Sequence, residues 1–248
     1  MNKQKGLVNL SLIASPERRF LLLIGTGSFI LILAFINMYF LTEAFPSGPD
    51  CLSVPGQECF NVSGHPVFYM ISEAFVAFSL FSIASIGSVL YLIKKDLKYD
   101  SIIVASAKTG ILATSLTLLV GIFWSKVEWG YYWQWEQRQT MTLVMFLFYV
   151  GMILFRSTID DANDKAKLTA VFGLIAIVTV PMTNFIVGGL HPQPQKSLSA
   201  GGNAFMGAIF MYLGTFLIYL AFLYLSVKLE VMNNKIEEYK YQVLAQQE

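Results

Sequence analysis

The sequence predicts an all-α integral membrane protein with six transmembrane helices and both termini in the cytoplasm. Three observations lead there. Of 248 residues, 55% are hydrophobic and only 13% are charged, about half the charged share of a soluble domain. The apolar residues gather into six runs, most of them near the ~20 residues that a helix needs to cross the ~30 Å hydrocarbon layer. Lysine and arginine then crowd into alternate connections, as the positive-inside rule requires. Helices are expected because they satisfy their own backbone hydrogen bonds in lipid, and the alternating pattern of a barrel is absent. The net charge of +1 names no nucleic-acid partner, so the lipid bilayer is the only partner that composition implies.

The runs can be taken in order. The first, residues 20–41, follows Arg18 and Arg19 and precedes no small-residue cleavage site, so a retained span is expected rather than a cleavable signal peptide. The second, 67–93, is closed by Lys94 and Lys95, and the third covers 102–123. The fourth, 141–155, is short unless it begins inside the aromatic stretch before it. The fifth, 168–187, contains Pro181, and the sixth covers 204–227. The chain thus divides into a cytoplasmic N-terminal segment (1–19), a six-helix transmembrane domain (20–227) and a charged, partly amphipathic helical tail (228–248). The tail is expected to be solvated, with docking of a cytoplasmic partner as the alternative. No internal repeat or low-complexity segment is present.

Orientation follows from the cations. Lys3, Lys5, Arg18 and Arg19 precede the first run, and Lys94, Lys95 and Lys98 follow the second. Arg156, Lys165 and Lys167 follow the fourth, and Lys228, Lys235 and Lys240 follow the sixth. The alternate loops, 42–64, 124–140 and 188–203, hold only Lys126, Arg138 and Lys196 and therefore face outward.

Two histidines occur in the chain, His65 and His191. One stands at the start of the second run and the other just after the fifth, so both fall at the outer interface. A histidine at a helix end is commonly an ordinary polar residue. Two sole histidines at one depth also suit a shared cofactor: neutral imidazoles are good axial ligands for haem iron, and a facing pair supplies both. A zinc site would need three or four ligands. Between them, in one outer segment, lie all four tryptophans: Trp124, Trp129, Trp133 and Trp135. An interfacial aromatic belt is the plainer reading, but belts spread over several helix ends. A concentrated aromatic platform suits a flat apolar macrocycle. Arg138 and Lys126 read either as partners of that ligand's propionates or as hydrated interfacial charges. Cys51 and Cys59 share the first outer loop, where a disulfide and two free thiols are both open readings. Neither cysteine belongs to a C-x-x-C-H pattern, so covalent haem attachment is not expected.

The run Trp129-Gly-Tyr131-Tyr132-Trp133-Gln-Trp135-Glu136-Gln-Arg138-Gln-Thr140 resembles the tryptophan-rich signature W-G-x-x-W-x-W-D-x-R-x-T of the haem-handling cytochrome c assembly family, and most of all its short six-helix members. The likeness extends into 146–151, Asp160-Asp161 and Pro181, and covers roughly residues 65–225. It implies haem b, transiently bound at the outer face. It places His65, followed by Pro66, and His191 as the axial ligands of the iron. Trp124, Trp129, Trp133, Trp135, Glu136 and Arg138 would then belong to the binding surface. It also implies handover to a periplasmic haem chaperone, aided by ATP-binding-cassette transporter subunits, in a bacterial inner membrane. Such a protein is a transfer and assembly factor rather than an enzyme. The chain departs from the pattern at Glu136, where the signature has aspartate, and at Val187-Gly-Gly-Leu, where paired tryptophans are expected. The first outer loop has no counterpart.

Two other classes stand beside this reading. A b-type cytochrome redox subunit usually needs two stacked haems and four histidines, and only two histidines exist. A transmembrane haem exporter would need polar groups along a midplane path, for which Glu73 and Pro181 are the hints. Glu73 lies about two turns past His65. It reads either as a group that orients a ligand or pairs with Lys108, or as a protonated structural residue.

Overall fold

A computed structural model describes residues 16–36, 64–179 and 202–245, and every regular element among them is helical. The helices are α1 (Pro16–Ile36), α2 (Gly64–Lys94), α3 (Leu97–Trp129), α4 (Gln137–Arg156), α5 (Ala162–Ala176) and α6 (Gly202–Ala245). Among the described residues, five of these are long and apolar enough to cross a membrane, namely α1 to α4 and α6. The chain is therefore a multi-pass all-α membrane protein. The expected fifth span, 168–187, lies partly outside the described residues. The fourth helix does begin inside the aromatic stretch, at Gln137. Helix α6 continues without a break into the residues expected to form the tail, as far as Ala245.

Charge spacing sets the level of the bundle in a bilayer. Residues 109–125 of α3, between Lys108 and Lys126, carry no charge, and neither do residues 139–155 of α4, between Arg138 and Arg156. Each run has 17 residues, or about 26 Å of helix, close to the hydrocarbon thickness. Both helices are framed by cations whose long stems reach the headgroup level.

Helices α2 and α3 form a tight hairpin over Lys95 and Asp96. Lys95 takes a left-handed φ of 53°, and the Asp96 carboxylate accepts from the Lys98 N–H, capping α3. Helix α5 starts in the same way, with the Asp161 side chain accepting from the N–H groups of Asn163 and Asp164. At the centre Phe81 of α2 stacks on Tyr149 of α4, with ring centroids 3.7 Å apart, and Gly110 of α3 leaves the space which the Phe81 ring fills. Helix α1 packs on α6 through small residues: a Cβ at Gly27 would lie 2.9 Å from the Gly214 carbonyl oxygen. Close backbone approach of this kind replaces the hydrophobic drive that lipid does not supply.

Away from the tryptophans, three helices meet at a buried ion pair. The Arg156 guanidinium donates to both Asp100 carboxylate oxygens at 2.7 and 2.6 Å and to the Thr169 hydroxyl at 2.8 Å. Asp100 is 1% exposed and Arg156 8%. The planar fork matches the carboxylate in two-point fashion, joining α3 to α4, with α5 bound through Thr169. Removing one partner strands a buried charge, at a cost of about 3–5 kcal/mol. Arg156→Met and Asp100→Asn should each lower the unfolding midpoint sharply in detergent, whereas the double variant Asp100→Leu/Arg156→Met should recover much of the loss. Equal damage from the single and double variants would contradict this assignment.

Candidate functional site

The α2–α3 hairpin brings the beginning of α2 to the end of α3. A Cβ at Gly121 would touch the Met70 sulfur at 3.2 Å, so the first turn of α2, which contains His65, and the tryptophan segment stand at the same end of the bundle. His191 lies outside the described residues, as do Cys51, Cys59 and Pro181.

The segment between α3 and α4 is built from local interactions. Trp129 is the last residue of α3, and Gly130 ends the helix in the left-handed region at φ 78°, its N–H donating to the Lys126 carbonyl. Lys126 turns back over this cap. Its ammonium donates to the Gly130 carbonyl at 2.7 Å and sits 5.2 Å from the centre of the Tyr132 ring. Of the two roles open to Lys126, the structure thus adds a third, closure of the helix end. Trp124 is buried within α3.

Beyond the cap the aromatic residues divide. Trp133 and Trp135 meet edge to face with centroids 5.6 Å apart. Trp135 is 72% exposed and holds a left-handed backbone at φ 54°, which for a bulky residue is a strained conformation. Tyr131 and Tyr132 are also exposed. The Trp133 indole N–H is the opposite case, buried and without a hydrogen-bond partner. Leaving such a donor unmet costs on the order of 1–3 kcal/mol. Exposed aromatic rings beside an unsatisfied buried donor suit an apolar ligand that carries polar edges. Two more side-chain oxygens at the start of α4, Gln139 Oε1 and Thr140 Oγ1, are buried without partners as well.

Glu136 occupies the cap position of α4, with its backbone carbonyl accepting from the Thr140 N–H at 2.8 Å, but its side chain makes no capping bond. Burial pushes its pKa above the usual 4.5, and the Arg138 guanidinium opposes that rise.

Glu73 and Lys108 do not pair with one another. Lys108 makes a 3.0 Å ion pair with Glu230 of α6. Glu73 is buried and hydrogen-bonded to the Tyr219 side chain, leaving its Oε2 without a partner. Sequence reasoning took Arg156 only as a marker of the inner face. The signal for its partner was a solitary acid, Asp100, in the first turn of a span.

A family model described as "Heme exporter protein C" (CcmC) matches residues 58–247. The heme exporter protein C of Bradyrhizobium diazoefficiens is 29% identical over 173 residues, covering 68% of this chain and 65% of its own. That of Paracoccus denitrificans is 26% identical over 180 residues, covering 68% of this chain and 74% of its own. A cytochrome c biosynthesis ccmC-like mitochondrial protein of Marchantia polymorpha is 29% identical over 161 residues, with coverages of 64% and 67%. The match spans just under two thirds of the Bradyrhizobium protein.

The environment of Glu136 makes a pH-dependent prediction. A carboxyl with a raised folded-state pKa holds its proton more tightly in the folded protein than in the unfolded chain. Its contribution to stability is therefore whole below the unfolded value and declines as pH rises through the folded one. Tryptophan emission, which comes wholly from 124–135, should titrate with a midpoint above 4.5. Glu136→Gln should abolish this step and Arg138→Gln should move it higher. A wild-type midpoint at or below the ordinary value would overturn the assignment.

Proposed function

The chain belongs to the heme exporter protein C (CcmC) family, and from that premise we propose that it holds haem at the outer membrane face and passes it to a periplasmic haem chaperone for cytochrome c maturation. The observation that carries this reading is the aromatic segment 129–140, whose partly exposed rings and buried, unmet Trp133 N–H stand at the end of the bundle where α2 begins at His65.

In this proposal six spans cross the bacterial inner membrane and both termini lie in the cytoplasm. His65 and His191 then reach the same face. Bound haem b, the transient cargo, offers its iron two axial positions that neutral imidazoles fill. His65 and His191 supply those imidazoles. Trp129, Trp133 and Trp135 cover the ring, with Trp135 as an exposed rim, and Trp124 backs them from within α3. Arg138 faces the propionates, and Glu136 stands beside it to set the charge at that edge. The same residues leave one edge open to the aqueous side, which handover needs. Retention must be firm enough for capture and weak enough for release, so the site spreads its binding over two ligands and a stacking surface. ATP-binding-cassette subunits act as partners in release, and the chain itself catalyses no covalent step. The relatives' name, heme exporter, concerns haem movement, and transfer between proteins on the outer face is the form of movement that this site supports.

The test uses the full chain purified with haem. His65→Ala and His191→Ala should each lose or shift the haem absorbance. Trp133→Ala should keep the absorbance but lose haem several-fold faster to an apo haem chaperone. Transfer should leave the iron oxidation state unchanged. Unaltered spectra in both histidine variants would end the ligand assignment. Haem that moves only with a change of oxidation state would favour a redox subunit instead.

A further inference from the structure

Helix α6 does not end with its span. It passes the level where Glu230 pairs with Lys108 at 3.0 Å and runs on to Ala245, a further ~22 Å at about 1.5 Å per residue. One side of this extension is fixed to the bundle: besides the Glu230 contact, the Asn234 amide donates to the Ser101 hydroxyl of α3 at 3.0 Å. Glu230, Val231 and Asn234 are accordingly half-buried, while Lys228, Leu229, Met232, Asn233, Lys235 and Ile236 are exposed. The apolar members of that outer side are bare, with Met232 50% and Ile236 62% exposed. Lys108 ends the uncharged run of α3. Met232 and Ile236, about 3 and 9 Å beyond Glu230 along the axis, therefore stand past the hydrocarbon layer, where lipid tails do not cover them. This is the end to which the positive-inside bias assigns the cytoplasm. Apolar side chains gathered on one water-facing stripe mark an interaction surface.

Along the helix this stripe keeps a 3-4 spacing: Leu229, Met232, Ile236, Tyr239 and Val243 fall at alternate a and d positions of a heptad. The flanking e and g positions hold Lys228, Asn233, Lys235, Lys240 and Gln242, and no acid. The acids of the stretch, Glu230, Glu237 and Glu238, fall at b and c, off the seam. We propose that this face docks an amphipathic helix of a partner protein whose own apolar seam is flanked by glutamate or aspartate. The sign of the flanking positions, not a sum of charge, makes the choice, because e and g residues pair across a helix seam and set the partner. A second copy is a poor occupant. Two copies in one membrane hold their α6 helices parallel, which sets Lys235 of one opposite Lys240 of the other, like charge against like. Residues 1–15 of the chain bring Lys3 and Lys5 and no acid, the same mismatch. Binding to the bilayer surface would need the helix to turn at the headgroup level, whereas α6 is unbroken and is held along α3 by Glu230 and Asn234. Because the bundle already orders this helix, docking costs little conformational entropy on its side. The inference is independent of haem.

The test uses the full chain in phosphatidylcholine nanodiscs and two labelled peptides of about three heptads. Both carry leucine at a and d; one has glutamate and the other lysine at e and g. Fluorescence anisotropy reads binding. The acidic peptide should bind about tenfold tighter than the basic one. Met232→Glu and Ile236→Glu should each abolish binding with an unchanged helical spectrum. The double variant Lys235→Glu/Lys240→Glu should reverse the preference, which no folding defect can produce. Glu237→Gln, at a b position, should bind as the wild type does. Equal binding of the two peptides, binding of neither, or an unreversed preference in the double variant would overturn the proposal. Three further results would overturn it by giving the face to another occupant. A cross-link between two copies through Ile236→Cys that the acidic peptide does not prevent would assign it to a second copy. Peptide binding that appears only when residues 1–15 are removed would assign it to the chain's own terminus. Loss of peptide binding in phosphatidylglycerol nanodiscs would assign it to the membrane.

Discussion

Arg156 and Asp100 meet out of water, and the alignment of α3 with α4 depends on that contact. The two helices are joined at one end by the ion pair and at the other by the aromatic segment from Gly130 to Glu136. Between these ends run two uncharged stretches of equal length, 109–125 and 139–155. The pair tolerates little displacement, because a two-point guanidinium–carboxylate contact loses geometry and energy together when either helix slides. The tryptophan segment is therefore held at a set height. In the proposed role, a surface that accepts and releases a flat ligand needs such a fixed base.

The distribution of polarity within the aromatic segment follows from its place at a membrane edge. Trp124 is enclosed by the bundle, Trp133 buries its N–H without a partner, and Trp135 stands out on a left-handed backbone. This gradient runs from packed core to exposed rim within twelve residues, 124–135. Lys126 directs its charge to the Gly130 carbonyl and the Tyr132 face, while Arg138 acts electrostatically on Glu136. Glu136, with a raised pKa, keeps the charge beside Arg138 adjustable.

Much of the fold was legible in the amino-acid order because the bilayer enforces it. Apolar runs of bilayer length become helices, and the helices α2, α3 and α4 lie where the runs lay, each extended at its ends by capping residues such as Asp96 and Gly130 that hydropathy does not register. Of the candidate site, the aromatic segment was legible as a clustering of tryptophans around a signature, while His191 lies outside the described residues. The pairing of charges was not. Asp100 and Arg156 are 56 positions apart, as are no residues within one helix face, and Lys108 and Glu230 are 122 apart. Periodicity along one helix carries no information on which neighbour a side chain meets. Glu73 shows the same limit, since its partner, Tyr219, comes from the last helix.

The account's central claim is that His65, the aromatic segment and His191 share the outer face, which requires an even number of spans between the two histidines. Site-directed labelling tests it most directly. With Cys51 and Cys59 replaced by serine, single cysteines would be placed at positions 65, 132, 191 and 228 and treated with a membrane-impermeant maleimide before and after the membrane is opened. Labelling of 65, 132 and 191 in intact cells, with 228 labelled only after opening, is the result predicted. Position 191 reacting only after opening, while 132 reacts before, would place the two histidines on opposite sides and contradict the account.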